Sequence, residues 1–123
     1  MERWATDDEK ARLARAIRDG LRFDLLSVRK ESRWFPAEVN HPKKKRPFQA
    51  QEAWIFTASL LEDGMPVEVI RLKKPPGVPG WVLKVETREK RRIYIKLELT
   101  EDFYVLGRSF HYSDHDPKGE DDE

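Results

Sequence analysis

Residues 92–111, RIYIKLELTEDFYVLGRSFH, alternate apolar and polar side chains on both sides of a turn signal at Glu101-Asp102. A period of two over this length specifies a β-hairpin, because successive side chains of a strand point to opposite faces of the sheet. With Glu101-Asp102 as the turn, Ile93, Ile95, Leu97 and Leu99 share one face with Tyr104, Leu106 and Phe110. The other face carries Arg92, Tyr94 and Lys96, opposed across the ladder by His111, Ser109 and Gly107. The first set is a core. The second has little to bury and offers cations and hydroxyls to a phosphate.

The preceding segment extends this arrangement. Trp81, Leu83 and Val85 alternate with Val82, Lys84, Glu86 and Arg88, which predicts a strand over residues 81–88. A three-residue loop, Glu89-Lys90-Arg91, pairs Arg88 with Arg92, Glu86 with Tyr94, and Lys84 with Lys96. The meander thus has one apolar face and one polar face, as antiparallel sheets commonly do.

Upstream, Thr6-Asp7-Asp8-Glu9 reads as a capping box that opens a helix, with Leu13, Ala14, Ile17 and Leu21 as its stripe and Gly20 to close it. A second helix is predicted from Pro47 to Asp63, ahead of Gly64. Its buried stripe is Phe48, Ile55, Ala58 and Leu61, widened by Trp54, Phe56 and Leu60. FDLLSV (residues 23–28) is compatible with a short strand. MPVEVIRL (65–72) is β-branched with Pro66 at its start, as at a strand beginning or a sheet edge. The expected class is α+β, with two helices packed on one face of a small, mainly antiparallel β-sheet. At 123 residues the chain holds one core, expected over residues 1–113, with 114–123 as an acidic, disordered tail.

The chain has no cysteine, which removes disulfides and thiolate metal ligands and fits a reducing compartment. No run approaches the ~20 apolar residues of a membrane span, and MERWATDDEK lacks an apolar signal region. A cytoplasmic protein without a membrane partner is the expectation. The net charge of +1 is unevenly spread: the tail holds six acids and one lysine, so residues 1–113 carry +6. Residues 1–20 hold five acids and five bases, so that excess lies on residues 21–113. The cations bunch at 43–46, 71–74 and 88–92, clusters of the kind that attract a polyanion. A single such run is more often a solvated loop; three beside one polar strand face point to nucleic acid.

The chemistry open to this face is RNA cleavage without a metal or other cofactor. Such cleavage needs a base for the 2′-hydroxyl proton, cations for the charge growing on the phosphate, and an acid for the departing 5′-oxygen. Glu86, Tyr94, Lys96 and His111 are the candidate catalytic residues. Glu86 or His111 can act as base, and His111 is the better acid. Lys84, Arg88, Arg92 and Ser109 are the candidate substrate-binding residues, and Tyr94 can also stack on a base. Three other readings are open. An outward strand face can be polar simply because it meets water. His111, Asp114, His115 and Asp116 lie within six residues, a spacing that suits a metal on a helix but here leads out of a strand. A similar αβ scaffold can also serve only to bind nucleic acid, or to inhibit another protein.

The order helix, strand, Ile93-Tyr94-Ile95-Lys96 and then Ser109-Phe110-His111 resembles the C-terminal half of bacterial toxin ribonucleases with the RelE-like fold, especially the MqsR-type toxins. The likeness is specific over about twenty residues, loose from the second helix to Lys84, and absent from residues 1–45. It implies an endonuclease of messenger RNA, on the ribosome or free, held inactive by an antitoxin protein. Tyr94 matches the family's functional tyrosine, and His111 stands where MqsR-type toxins have a functional lysine. That exchange puts the acid and base roles in question without removing them.

Overall fold

The computed structural model describes residues 2–24, 33–73 and 76–113. The acidic tail and residues 25–28 of the expected FDLLSV strand lie outside the described residues.

The described part of the chain is α+β, as the patterning predicts. Seven strands form one sheet: β1 Arg3–Trp4, β2 Arg22–Asp24, β3 Arg33–Trp34, β4 Glu68–Arg71, β5 Pro79–Glu86, β6 Arg92–Leu99 and β7 Val105–Tyr112. Their spatial order is β1-β4-β5-β6-β7-β2, with β3 also on β7. The pairings from β1 through β7 are antiparallel, whereas β2 and β3 run parallel to β7. Helices α1 (Asp7–Arg18) and α2 (Ala50–Glu62) cover one face. Neither is long and apolar enough to cross a membrane.

Helix α1 starts where the capping box predicts. The Thr6 hydroxyl accepts from the Glu9 N–H at 3.1 Å, and the Glu9 carboxylate accepts from the Thr6 N–H at 2.8 Å. Leu13, Ala14 and Ile17 are buried, and Gly20 takes the left-handed φ of +81° that ends the helix. Helix α2 starts three residues later than Pro47, because the Glu52 carboxylate caps the Gln49 N–H at 2.9 Å. Its buried stripe is Ala53, Trp54, Thr57, Ala58 and Leu61. Ile55, expected inside, is 46% exposed: it lies a quarter-turn from the stripe that Trp54 sets by stacking on Trp34 at 4.6 Å. Phe48 is buried but precedes the helix.

The odd-numbered side chains Trp81, Leu83, Ile93, Ile95 and Leu97 face the helices. The hairpin registers, however, differ from those expected. Between β5 and β6 the turn spans residues 87–91 instead of three residues. Thr87 and Arg91 are cross-bonded, and Lys90 adopts φ +61°. The longer turn slides the ladder by two residues, so that Lys84 pairs with Tyr94, Glu86 with Arg92, and Val82 with Lys96. Parity is kept, hence the faces are kept. Arg88 falls in the turn and is exposed, away from the strand face on which it was expected.

Between β6 and β7 the turn likewise closes at Thr100 and Tyr104 rather than at Glu101-Asp102 alone, with Phe103 at φ +66°. A bulge then breaks the alternation. Lys96 pairs with Ser109 but Leu97 pairs with Gly107, leaving Arg108 as the extra residue. Phe110 and Val105 therefore face the helices, while Leu106 pairs with Glu98 on the reverse side and Tyr104 stands exposed in the turn. Gly107, expected opposite Lys96, faces the helices under Trp34. A Cβ there would sit 2.6 Å from the indole, so no other residue fits without displacing that ring.

Candidate functional site

The face of the sheet opposite the helices holds the candidate residues singled out above, all but Arg88. Even-numbered side chains of β6 share it with Ile70, Leu72, Val82 and, beside them, Val78, which form a second, smaller apolar cluster around Tyr94. Adjacent pairings build three rows across the sheet: Glu86–Arg92, then Lys84–Tyr94–His111, then Val82–Lys96–Ser109. The slide in the first hairpin sets Lys84 opposite Tyr94, and the turn and bulge of the second set Tyr94 directly beside His111. Their rings stack with centroids 5.4 Å apart and planes 28° from parallel. The His111 Nδ1 lies 2.9 Å from the Tyr112 carbonyl.

This face is not the water-facing surface that alternation suggests. Tyr94, Lys96 and Ser109 are fully buried, and the expectation of a solvated strand face is corrected for them. On this face Ile70, Leu72 and Val82 pack with Tyr94 in the apolar cluster, and a buried ion pair lies on the far side. In that pair Arg108 Nη1 donates to Glu98 Oε1 at 2.7 Å, with both side chains more than nine-tenths enclosed. The reachable members of the set are Glu86, Arg92, Lys84 and, in part, His111. The Arg92 Nε donates to Glu86 Oε1 at 3.1 Å, and Lys84 Nζ lies 3.0 Å from Glu68 Oε2. The side chain of Glu86 is 65% exposed, and those of Arg92 and Lys84 are 31% and 26% exposed.

The structure thus brings Glu86, Tyr94, Lys96, His111, Lys84, Arg92 and Ser109 onto one face and leaves Arg88 outside. Two ion pairs on this face carry no signal in the sequence. Glu68 reaches Lys84 from β4, and Glu98 meets Arg108 only because the bulge turns Arg108 to the same side. Neither pairing is visible from spacing, since the first crosses strands from different hairpins and the second depends on an irregularity.

The basic runs are less available than their sequence implies. In the 43–46 loop, Lys44 and Arg46 both bind the Glu52 carboxylate, and Lys45 lies 3.5 Å from Glu89. The Arg46 guanidinium first and the Lys44 ammonium second hold Glu52 well below the usual carboxylate range. His41 organises this loop: its Nδ1 accepts from the Lys43 N–H at 3.1 Å, and its carbonyl accepts from the Lys45 N–H. Burial, followed by the nearby Lys44 charge, lowers its pKa from the ordinary value, which favours the neutral ring that accepts this bond. In the 71–74 run Arg71 reaches Glu2 at 3.3 Å, and in the 88–92 run the Arg91 guanidinium lies 3.6 Å above the Tyr112 ring.

Among the described residues no three His, Asp or Glu side chains gather where a metal ion would be held, and Asp114, His115 and Asp116 lie outside them. Comparison with family models, with curated proteins and with solved structures finds no match to this chain.

Proposed function

We propose that the protein is a metal-independent endoribonuclease that cleaves messenger RNA, the activity implied by the resemblance to RelE-like toxins. The observation that carries this reading is the Lys84–Tyr94–His111 row with Glu86–Arg92 beside it, which puts a carboxylate, two cations and a stacked imidazole on adjacent pairings. In the step proposed, the substrate 2′-oxygen forms a bond to phosphorus as the 5′-oxygen bond breaks. Glu86, the most solvent-open carboxylate of the set, takes the 2′-hydroxyl proton, and His111 delivers a proton to the leaving oxygen. Arg92 and Lys84 stabilise the charge on the phosphate after exchanging their carboxylate partners for it. Tyr94 acts from beneath, fixing the plane of the imidazole by stacking. Lys96 and Ser109 are buried as fully as Tyr94, so their part is to hold the two strands beneath the site. The partner implied is an antitoxin protein, and the compartment is the cytoplasm.

The full chain is expected to cleave single-stranded RNA in EDTA, and Tyr94→Phe/His111→Ala is expected to slow cleavage about 10²- to 10⁴-fold with its melting temperature checked alongside. Undiminished cleavage by the double variant removes the assignment. The burial of Tyr94, Lys96 and Ser109 favours a second reading, in which the polar face is a structural network and the protein binds RNA without cutting it. Binding by the wild type with no cleavage, on RNA or on programmed ribosomes, selects that reading.

A further inference from the structure

Of the chain's four tryptophans, three are buried, and Trp4 is 55% exposed. A large aromatic left in water on a two-residue edge strand adds little to folding. Its position in the sheet is informative: Trp4 pairs with Glu68, Glu68 with Val82, Val82 with Lys96, and Lys96 with Ser109. Trp4 therefore ends one of the rows on the same face as Lys84, Tyr94, Arg92 and His111.

Between the indole and those cations runs a groove of about 310 Å³. Its walls include Trp4, Met65 and Val82 on the apolar side and Glu68, Lys84 and Arg92 on the polar side. That volume lies at the small end of the ~300–1,000 Å³ typical of ligand sites, enough for one flat group and its charged attachment. Lys84 stands two strands from Trp4, a backbone separation of roughly 10 Å, and its ammonium lies 3.0 Å from the Glu68 carboxylate on the strand between them. A flat π-face, an apolar floor and two cations at the far end match the parts of one nucleotide, with the base on the indole and the phosphate at Lys84 and Arg92.

We infer that the Trp4 groove is a stacking subsite for one unpaired nucleobase, which selects single-stranded over duplex RNA. The inference deepens the proposed nuclease reading by naming what that site takes, and it rests on RNA being the ligand. A base within a duplex is stacked on its neighbours and cannot lie on the indole, so discrimination follows from geometry without base-edge contacts.

The test measures binding of the full chain, in EDTA, to an end-labelled eight-nucleotide single strand of 2′-O-methyl RNA, which has no free 2′-hydroxyl and cannot be cleaved by the proposed route. A 16-base-pair RNA duplex serves as the comparison. Trp4→Ala is expected to weaken single-strand binding at least tenfold, within the about 5- to 150-fold that loss of one stacked base represents. Trp4→Phe is expected to stay within threefold of the wild type, and duplex binding is expected to be unchanged by either substitution. A Trp4→Ala affinity within twofold of wild type, or an equal loss on the duplex, overturns the subsite. Because the ligand is uncleavable, the result is separable from the nuclease reading. Trp4-dependent binding with no cleavage of ordinary RNA keeps the subsite and removes the enzyme, whereas cleavage with Trp4-independent binding does the reverse.

Discussion

At the scale of single residues, the consequential one is Arg108. As the bulge residue it has no ladder partner to fix its direction, and it turns to the face where Glu98 waits at 2.7 Å. A charge pair this enclosed holds its place only while both members are present, because either one alone is a buried ion without compensation. Glu98→Gln is therefore expected to cost about 3–5 kcal/mol in chemical denaturation, while Glu98→Leu/Arg108→Leu returns most of that stability. If the single and double variants unfold at the same denaturant concentration, the pair is not what holds the bulge. Lys96 and Ser109, fully buried next to the bulge, belong to the same polar layer, so changes at Glu98 are also a probe of how far that layer supports His111.

At the scale of elements, strand β1 is held by more than its two ladder positions. The Arg3 guanidinium donates to both oxygens of Glu9 at 2.7 and 2.8 Å, and the same carboxylate caps α1 through the Thr6 N–H. The Arg3 hydrogen bonds first, and the Thr6 N–H as well, lower the Glu9 pKa to about 2 against partial burial. A carboxyl depressed on folding stabilises the native state above its ordinary pKa of 4.5 and loses that contribution as the pH falls from there towards 2. Glu9→Gln is expected to lower stability at neutral pH by about 1 kcal/mol, the typical worth of a helix cap. The gap between the two melting curves should close as the pH is taken from 5 to 2. A gap that is constant over that range would show that the carboxylate charge is not involved.

The elements also show which parts of the structure could be read in advance. Helix α1 was legible because its cap is written in four consecutive residues, and the faces of β5 and β6 were legible because alternation survives any even slide of register. The pairings themselves were not, since turn length depends on Lys90 and Phe103 taking positive φ, a conformation for which neither side chain gives a signal. The inward half of β7 is not legible for a related reason: one extra residue exchanges the roles of Leu106 and Gly107, and no residue type announces a bulge at Arg108. The candidate set was found by chemistry, but its burial was not, because alternation distinguishes the two faces of a sheet without saying whether both are covered.

At the scale of the whole molecule, net charge is a poor guide to where RNA would bind. Residues 43–46 are the densest cationic run, yet three of the four cations already face Glu52 or Glu89, and Lys84 and Arg92 likewise reach a phosphate only by giving up Glu68 and Glu86. If the phosphate sits at Lys84 and Arg92, two cations are engaged, and the slope of log affinity against log salt is expected near −1.4 for a single strand. A salt titration giving a slope steeper than about −4 would instead require the loop cations and a different path for the RNA across the surface.

The sheet is assembled from distant parts of the chain. Both of its edges come from the N-terminal portion, where Arg3 meets Val69 and Arg22 meets Val105, while the central meander is the most C-terminal of the strands described. During synthesis the last strand must leave the ribosome before its parallel neighbours can dock and before His111 can reach Tyr94. Pairings between such remote segments form late and set the folding rate. A nascent chain halted in the β6–β7 turn would hold both helices and the tyrosine yet lack the imidazole. Whatever activity this face supports is thus withheld until β7 has left the ribosome.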